Sequence, residues 1–330
     1  MTQQGIGILG TGSCLPKDEV SNDEVATLAG VTPEWIERKT QILSRRFAMP
    51  HEATSDLATE AAIRALDDAY LPAARIDYVI VSTSTPDSPQ PPTAALVQNN
   101  LNARGAACFD VNVVCSGFVF ALALARSLIA LKPGAHALVI GADIYSRILD
   151  FTDRRTAVLF ADGAGAVVVG AAGSGHGMID FGLHTRGEAH DLLGVAAGGS
   201  RMPASHDTLD DGSHFFTMQG RKVSEFVMEH VPSAVSDLVE RNDIRIGDVK
   251  HFIPHQPNGN LLSDLVLSAG LDGAATHRTL EKYGNVGSAC IPVTLDEANR
   301  EGRFIDGDLM LLAGFGGGMA VGTCLLRWGA

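Results

Sequence analysis

The segment 111–131, VNVVCSGFVFALALARSLIAL, constrains the architecture more than any other part of the chain. A β-branched, extended run (Val111, Val113, Val114) delivers Cys115 to the first turn of a helix that is apolar almost all round. Such a helix has to be buried on most of its circumference, and strand-like runs on both sides can bury it. GIGILGTG, DYVIVSTST, ACFDVNVV, HALVIGAD and AGAVVVGA read as strands. Between them lie helical stretches after Thr54, over 93–101 and after Cys115. Past a small-residue seam, AAGSGHG at 171–177, the pattern resumes. There it runs through helix QGRKVSEFVMEHVPSAVSDLVERN, strand VKHFIPHQ, helix GNLLSDLVLSAG and strands DLMLLAGFG and MAVGTCLLRW. Alternation of this kind predicts an α/β fold whose strands are buried on both faces. The seam divides the chain into 1–173 and 174–330.

Cys115 at a helix start would face unpaired N–H groups and the positive end of the helix dipole. Both favour the nucleophilic thiolate, although a lone cysteine in an apolar setting is more often core filling. Three later segments bear on the choice: IPHQPN with His255, YGNVGSA with Asn285, and GFGGG at 314–318. Taken alone, His255 on an apolar strand would be a satisfied core histidine. Asn285 would be a turn residue, and the glycines a tight hairpin. Together they offer an imidazole, an amide and free backbone N–H groups suited to a developing oxyanion.

Bulk properties exclude several alternatives. Against 25 Lys and Arg stand 38 Asp and Glu, a formal charge of −13, so no general positive field exists to hold nucleic acid. Basic pairs do occur at Arg38-Lys39, Arg45-Arg46, Arg154-Arg155 and Arg221-Lys222, and these could form a docking patch for an acidic partner. Five cysteines without a CxxC, and histidines without an HExxH, fit neither a disulfide framework nor a metal site. Gly10-Thr11-Gly12 follows a strand, but Leu15 stands where a dinucleotide fingerprint needs glycine. The apolar run 117–131 is short for a bilayer and carries Arg126. No signal-peptide pattern opens the sequence. These features lead us to expect a soluble, cytoplasmic protein without membrane contact, metal or cofactor.

The set VCSGF, IPHQPN, YGNVGSACIPVTLDEA and GFGGG, with GTGSCLP, TPEWIERKTQI and DFTDRRTAVLFADGAGA, resembles the β-ketoacyl-ACP synthase III family. That resemblance implies a thiolase-like, five-layered αβαβα fold of two similar halves, assembled as a homodimer. It also implies decarboxylative Claisen condensation of an acyl-CoA primer with malonyl-ACP, with acyl carrier protein as partner. Cys115 would carry the acyl group, His255 and Asn285 would hold the enolate oxygen, and the amides of Cys115 and Gly317 would form the oxyanion hole. Trp35, Lys39, Arg154 and Asn258 correspond to positions that hold coenzyme A, with Asn260 where a basic residue is usual. Gln90, Tyr145, Arg147, Phe160, Leu192, Phe216, Met218 and Phe315 correspond to the acyl pocket, Gln90 reaching it from the dimer partner. The overall likeness points to the biotin-precursor branch (BioZ type), which condenses glutaryl-CoA to 3-oxopimeloyl-ACP, with Arg147 as anchor for the primer carboxylate. An internal Asp143 or Asp150 is the alternative partner for such a cation. The rival readings are an acetyl- or branched-chain-primed initiating synthase, a secondary-metabolism acyltransferase, a non-catalytic partner subunit and a degradative thiolase.

Overall fold

The structure is a computed structural model and describes residues 5–329; residues 1–4 and 330 of the two expected halves lie outside it. The first sheet is built from β1 (Gly5–Cys14), β2 (Tyr78–Ser82), β3 (Ala107–Val111), β4 (Ala137–Ile144) and β5 (Asp162–Ala172). Its spatial order is β1-β5-β4-β2-β3. The second sheet takes β6 (Gly177–Thr185), β7 (His251–Pro254), β8 (Ala275–Thr276), β9 (Leu309–Gly316) and β10 (Ala320–Arg327), in the order β6-β10-β9-β7-β8. The two orders are the same when each sheet is counted from its own first strand. In both, the first two pairings are antiparallel and the last two parallel. The seam falls between Ala172 and Gly177, so we propose the division into 1–173 and 174–330 as the domain boundary.

Five layers follow from where the apolar surfaces go. Helix α1 (Thr54–Asp68) covers the outer face of the first sheet, burying Ala58, Ala61, Ala62 and Ala65 against Val79, Val81, Ile140 and Val168. Helix α2 (Gly117–Leu131) touches strands of both sheets. Its Phe118 and Leu122 share one core with Ile80 and Val139 from the first sheet and Met310 and Leu312 from the second. Helix α3 (Gly220–Glu240) closes the outer face of the second sheet, with α4 (Gly259–Ser268) packed on it. Helix α5 (Cys290–Arg300) joins α2 in the middle layer. The segment 114–131 is long and apolar enough by composition to cross a bilayer, so the sequence argument from its shortness does not hold. Half of it is buried between the sheets, which makes it a core helix.

Among the elements absent from the sequence reading, two are long. β6 carries Asp180 and three glycine or histidine positions, which blur its alternation. α5 contains Pro292, a helix breaker in the interior but harmless in the first turn, where its missing N–H has no partner to lose. A hairpin of 18–21 with 44–47 and the helices Asn22–Ala29 and Pro33–Thr40 form a small flap that carries Trp35 and Lys39.

The central strands of the first sheet approach the loop before α5 so closely that side chains are excluded. A Cβ on Gly141 would stand 2.4 Å from the Ser288 carbonyl oxygen. Gly141→Ala should therefore cost about 1–3 kcal/mol by overpacking, read as a lower denaturant midpoint. An unchanged midpoint would mean that this contact is slack.

Candidate active site

Cys115 lies in a single tight turn, Val114–Ser116, between β3 and α2. Val114 has φ 47°, a left-handed conformation that a β-branched residue rarely adopts and that marks stored strain. The turn is held by Ser116, whose Oγ donates to the Ala320 carbonyl at 2.9 Å, and by close approach of β9. A Cβ on Gly316 would meet Cys115 Cβ at 2.8 Å and its Sγ at 3.2 Å. The glycine-rich strand end thus lets the second half touch the sulfur turn of the first.

His255 follows β7 and is fixed by its own N–H donating to the Ala313 carbonyl at 2.8 Å. Its ring meets Phe315 edge-on at 5.3 Å and is 2% exposed, and its Nδ1 has no hydrogen-bond partner. Asn285 is clamped to the chain at 159–161: its N–H donates to Leu159 and its carbonyl accepts from Ala161. Its side-chain Oδ1 accepts from the Gly287 N–H at 3.0 Å. Gly287 has φ 60°, and a Cβ there would strike Asp143 Oδ2 at 2.4 Å, so glycine is required.

Cys115, His255 and Asn285 line one cavity of about 560 Å³. Desolvation governs its protonation states. Burial, reinforced by Cys290 and Asp143, pushes the Cys115 thiol well above its ordinary range. This direction is opposite to the expected thiolate, because burial deprives the charged form of water. Burial also depresses His255 to about 3, leaving a neutral imidazole. Tyr145 is buried beside them, its hydroxyl 3.1 Å from Ser84 Oγ, which in turn donates to the buried Asp143 at 3.0 Å.

The family 3-Oxoacyl-[acyl-carrier-protein (ACP)] synthase III matches residues 109–187, and its C-terminal counterpart matches 239–328. The acetoacetyl CoA synthase of Streptomyces sp. strain CL190 is 50% identical over 99% of this chain and 100% of its own. The β-ketoacyl-[acyl-carrier-protein] synthase III of Caldanaerobacter subterraneus subsp. tengcongensis is 42% identical over 98% of this chain and 97% of its own. The chain belongs to the 3-oxoacyl-ACP synthase III family. Among solved structures, the synthase III of Aquifex aeolicus VF5 superimposes with TM-score 0.90 at 34% identity, covering 98% of this chain and all of that one. The fold is thus thiolase-like, and the enzyme is an acyltransferase of the condensing type, joining acyl thioesters by decarboxylative Claisen chemistry.

The synthase cavity is not lined by every residue that sequence assigned to it. Tyr145, Phe160, Phe216, Met218 and Phe315 line it, whereas Leu193 replaces its neighbour Leu192. Gly316 faces the sulfur, and Gly317 packs against Val114 and Leu193. Arg147 is turned out of the cavity, its Nη2 donating to the carbonyls of Met49 and Glu52, in the wall of a separate cleft. Neither Asp143 nor Asp150 pairs with it: Asp143 is engaged by Ser84, Thr83, Thr85 and Ser288, and Asp150 by Thr152. Gln90 is exposed on the loop before helix 93–100 and does not reach the cavity of its own chain.

Of the coenzyme A candidates, Asn258 lines the mouth while capping α4 and donating to the Lys39 carbonyl. Arg154 stacks on Trp35 with 5.7 Å between guanidinium and ring centre. These residues, Asn260 among them, gather at the flap side of the mouth, because Asn260 also donates to the Arg38 and Lys39 carbonyls. Arg45 is fully buried on Asn22 and the Val158 carbonyl, which removes it from any docking patch. Arg155, which the sequence placed within reach of the pocket, does line it, whereas sequence reasoning missed Glu225 and Asp264 as lining residues, together with Cys290 behind Asn285.

A raised thiol predicts slow alkylation. Cys115 should react with iodoacetamide more slowly than free cysteine near neutral pH, with the rate still climbing beyond pH 9. A rate that levels off on the acid side of that value would show a stabilised thiolate instead.

Proposed function

We propose that this synthase loads an acetyl group from its coenzyme A thioester onto Cys115 and condenses it with malonyl-CoA, releasing CO2 and acetoacetyl-CoA. The observation that carries this reading is the character of the inner cavity. Around Cys115 stand Tyr145, Phe160 and Phe216, stacked or edge-on with centroids 4.5–5.6 Å apart. Such a wall favours a short apolar primer and offers a carboxylate no partner. Among the described residues Arg155 is the one cation lining the cavity, and it is already forked onto Asp153. A glutaryl primer finds no anchor at Arg147. The name borne by the Streptomyces relative, acetoacetyl CoA synthase, supports the same product.

Each residue has a separate task in this proposal. The Cys115 sulfur attacks the primer carbonyl and its proton ends on the departing coenzyme A sulfur, so no free thiolate accumulates. Backbone N–H groups of Cys115 and the glycine turn at 316–317 hold the tetrahedral oxyanion. The malonyl thioester then loses CO2, and its enolate oxygen accepts from the His255 imidazole N–H and the Asn285 NH2. Neutral donors suit this step because a charged partner would first have to be desolvated. The enolate carbon attacks the acyl group and expels Cys115, which takes a proton that originates from solvent.

Choice of extender is the second point. The family takes its name from acyl carrier protein, an acidic partner that the basic pairs near the mouth would receive. Here the chain carries −13 overall, Glu225 and Asp264 share the mouth with Arg155, and Arg221 is paired with Glu225 at 2.9 Å. These charges disfavour an acidic carrier and the phosphates of coenzyme A alike, so the choice of malonyl-CoA is supported by the acetoacetyl CoA synthase relative alone. The homodimer implied by the family, with Gln90 turned towards a partner copy, belongs to the same proposal.

Two assays test these statements. Intact mass after separate incubations with acetyl-CoA and glutaryl-CoA should give a Cys115-dependent adduct with acetyl only. Malonyl-CoA should then turn over faster than malonyl-ACP; a glutaryl adduct, or preference for the carrier protein, contradicts the reading. The pH dependence supplies a further check. Because His255 is depressed to about 3, its neutral form persists throughout the acid range in which ordinary histidines protonate. CO2 release should show no inflection near the usual histidine value. An inflection there would mean that His255 carries charge during turnover.

A further inference from the structure

An asparagine can serve an enolate oxygen only if its NH2, not its carbonyl, faces the substrate. Asn285 has two chemically different ends, and the surrounding donors decide which end points where. Gly287 N–H donates to Oδ1 at 3.0 Å, and this donor cannot reverse its role. A second donor approaches the same oxygen: Cys290 Sγ lies 3.5 Å from Asn285 Oδ1. Cys290 is fully buried, outside the cavity lining, at the first residue of α5. Burial pushes its thiol up to about 12, so it keeps its proton and remains a donor. In the opposite flip, Nδ2 would point its hydrogens at the Gly287 N–H and at the space occupied by the Cys290 S–H.

We propose that Cys290 is a positioning residue, whose S–H joins the Gly287 N–H in saturating the Asn285 carbonyl and so keeps the amide NH2 turned to the thioester. This inference rests on the enolate-stabilising role given to Asn285 above. It assigns Cys290 to the decarboxylation step and not to primer loading, because Cys115 loads its acyl group without Asn285. The neighbouring chain makes the device rigid. Ser288 N–H donates to Asp143 at 2.7 Å and Ser288 Oγ to the Ser82 carbonyl at 2.8 Å, pinning the loop between Asn285 and Cys290 to the first sheet.

The test separates two partial reactions in Cys290→Ala, Cys290→Ser and Asn285→Ala. One is CO2 release from malonyl-CoA without primer; the other is acetylation of Cys115 by acetyl-CoA, read by intact mass. Loss of one hydrogen bond should slow CO2 release in Cys290→Ala by about two- to tenfold, with acetylation unchanged. The serine variant, which keeps a donor, should recover most of the rate. Equal loss of both reactions in Cys290→Ala, no loss at all, or no recovery with serine overturns the positioning role. Asn285→Ala reports on the underlying reading: if it leaves CO2 release intact, the role of Asn285 itself is wrong. If it abolishes release while Cys290→Ala leaves the rate unchanged, only the inference about Cys290 fails.

Discussion

The approach of β9 to the Cys115 turn is the contact on which the rest of the site depends. Glycine at 314 and 316 lets backbone of the second half come within van der Waals distance of Cys115 and Ser116. The Ser116–Ala320 hydrogen bond then locks the two halves across that contact. Any side chain at these glycines would force the sheets apart, and His255 and Phe315 would recede from the sulfur with them. The strained φ of Val114 is the local counterpart, because it turns Cys115 into the shared cavity. Strain of this kind persists only where surrounding packing over-determines it, and here both halves contribute that packing.

Dryness decides the chemistry of the cavity. The same burial that raises Cys115 lowers His255, so the resting groups are a thiol, a neutral imidazole and an amide. None of them needs a counter-ion, and in a low-dielectric pocket uncharged dipoles fixed in place act strongly on charge that develops during reaction. The buried Asp143 is kept apart from this set. Its two oxygens are taken up by hydroxyls and amides of the 83–85 strand end and by Ser288, so it serves as a staple between the first sheet and the Asn285 loop.

Much of the fold was legible because its cues are local. Val-rich runs, the apolar helix after Cys115 and the small-residue seam each announce themselves in a short window, and the order of elements follows. Cys115, His255 and Asn285 were legible for a different reason: short motifs surround each, and their joint occurrence is rare. What could not be read depends on direction and solvent. Arg147 was assigned to the pocket by family correspondence, but the tight turn 145–147 sends the Tyr145 and Arg147 side chains to opposite places. The protonation of Cys115 was misread because the helix dipole is visible in sequence while the depth of burial is not. Cys290 escaped notice because its partner, Asn285, lies across a turn whose geometry Gly287 alone permits.

The central claim is that the halves divide the work, the first holding the acyl group and the second generating the carbon nucleophile. Crossed partial reactions test it most directly. Cys115→Ala and His255→Ala would be assayed side by side for acetyl transfer from acetyl-CoA to the enzyme and for CO2 release from malonyl-CoA. The account predicts that Cys115→Ala loses transfer but still releases CO2, and that His255→Ala becomes acetylated but releases none. If either variant loses both reactions while its fold is intact, the two tasks are not separate and the account is contradicted.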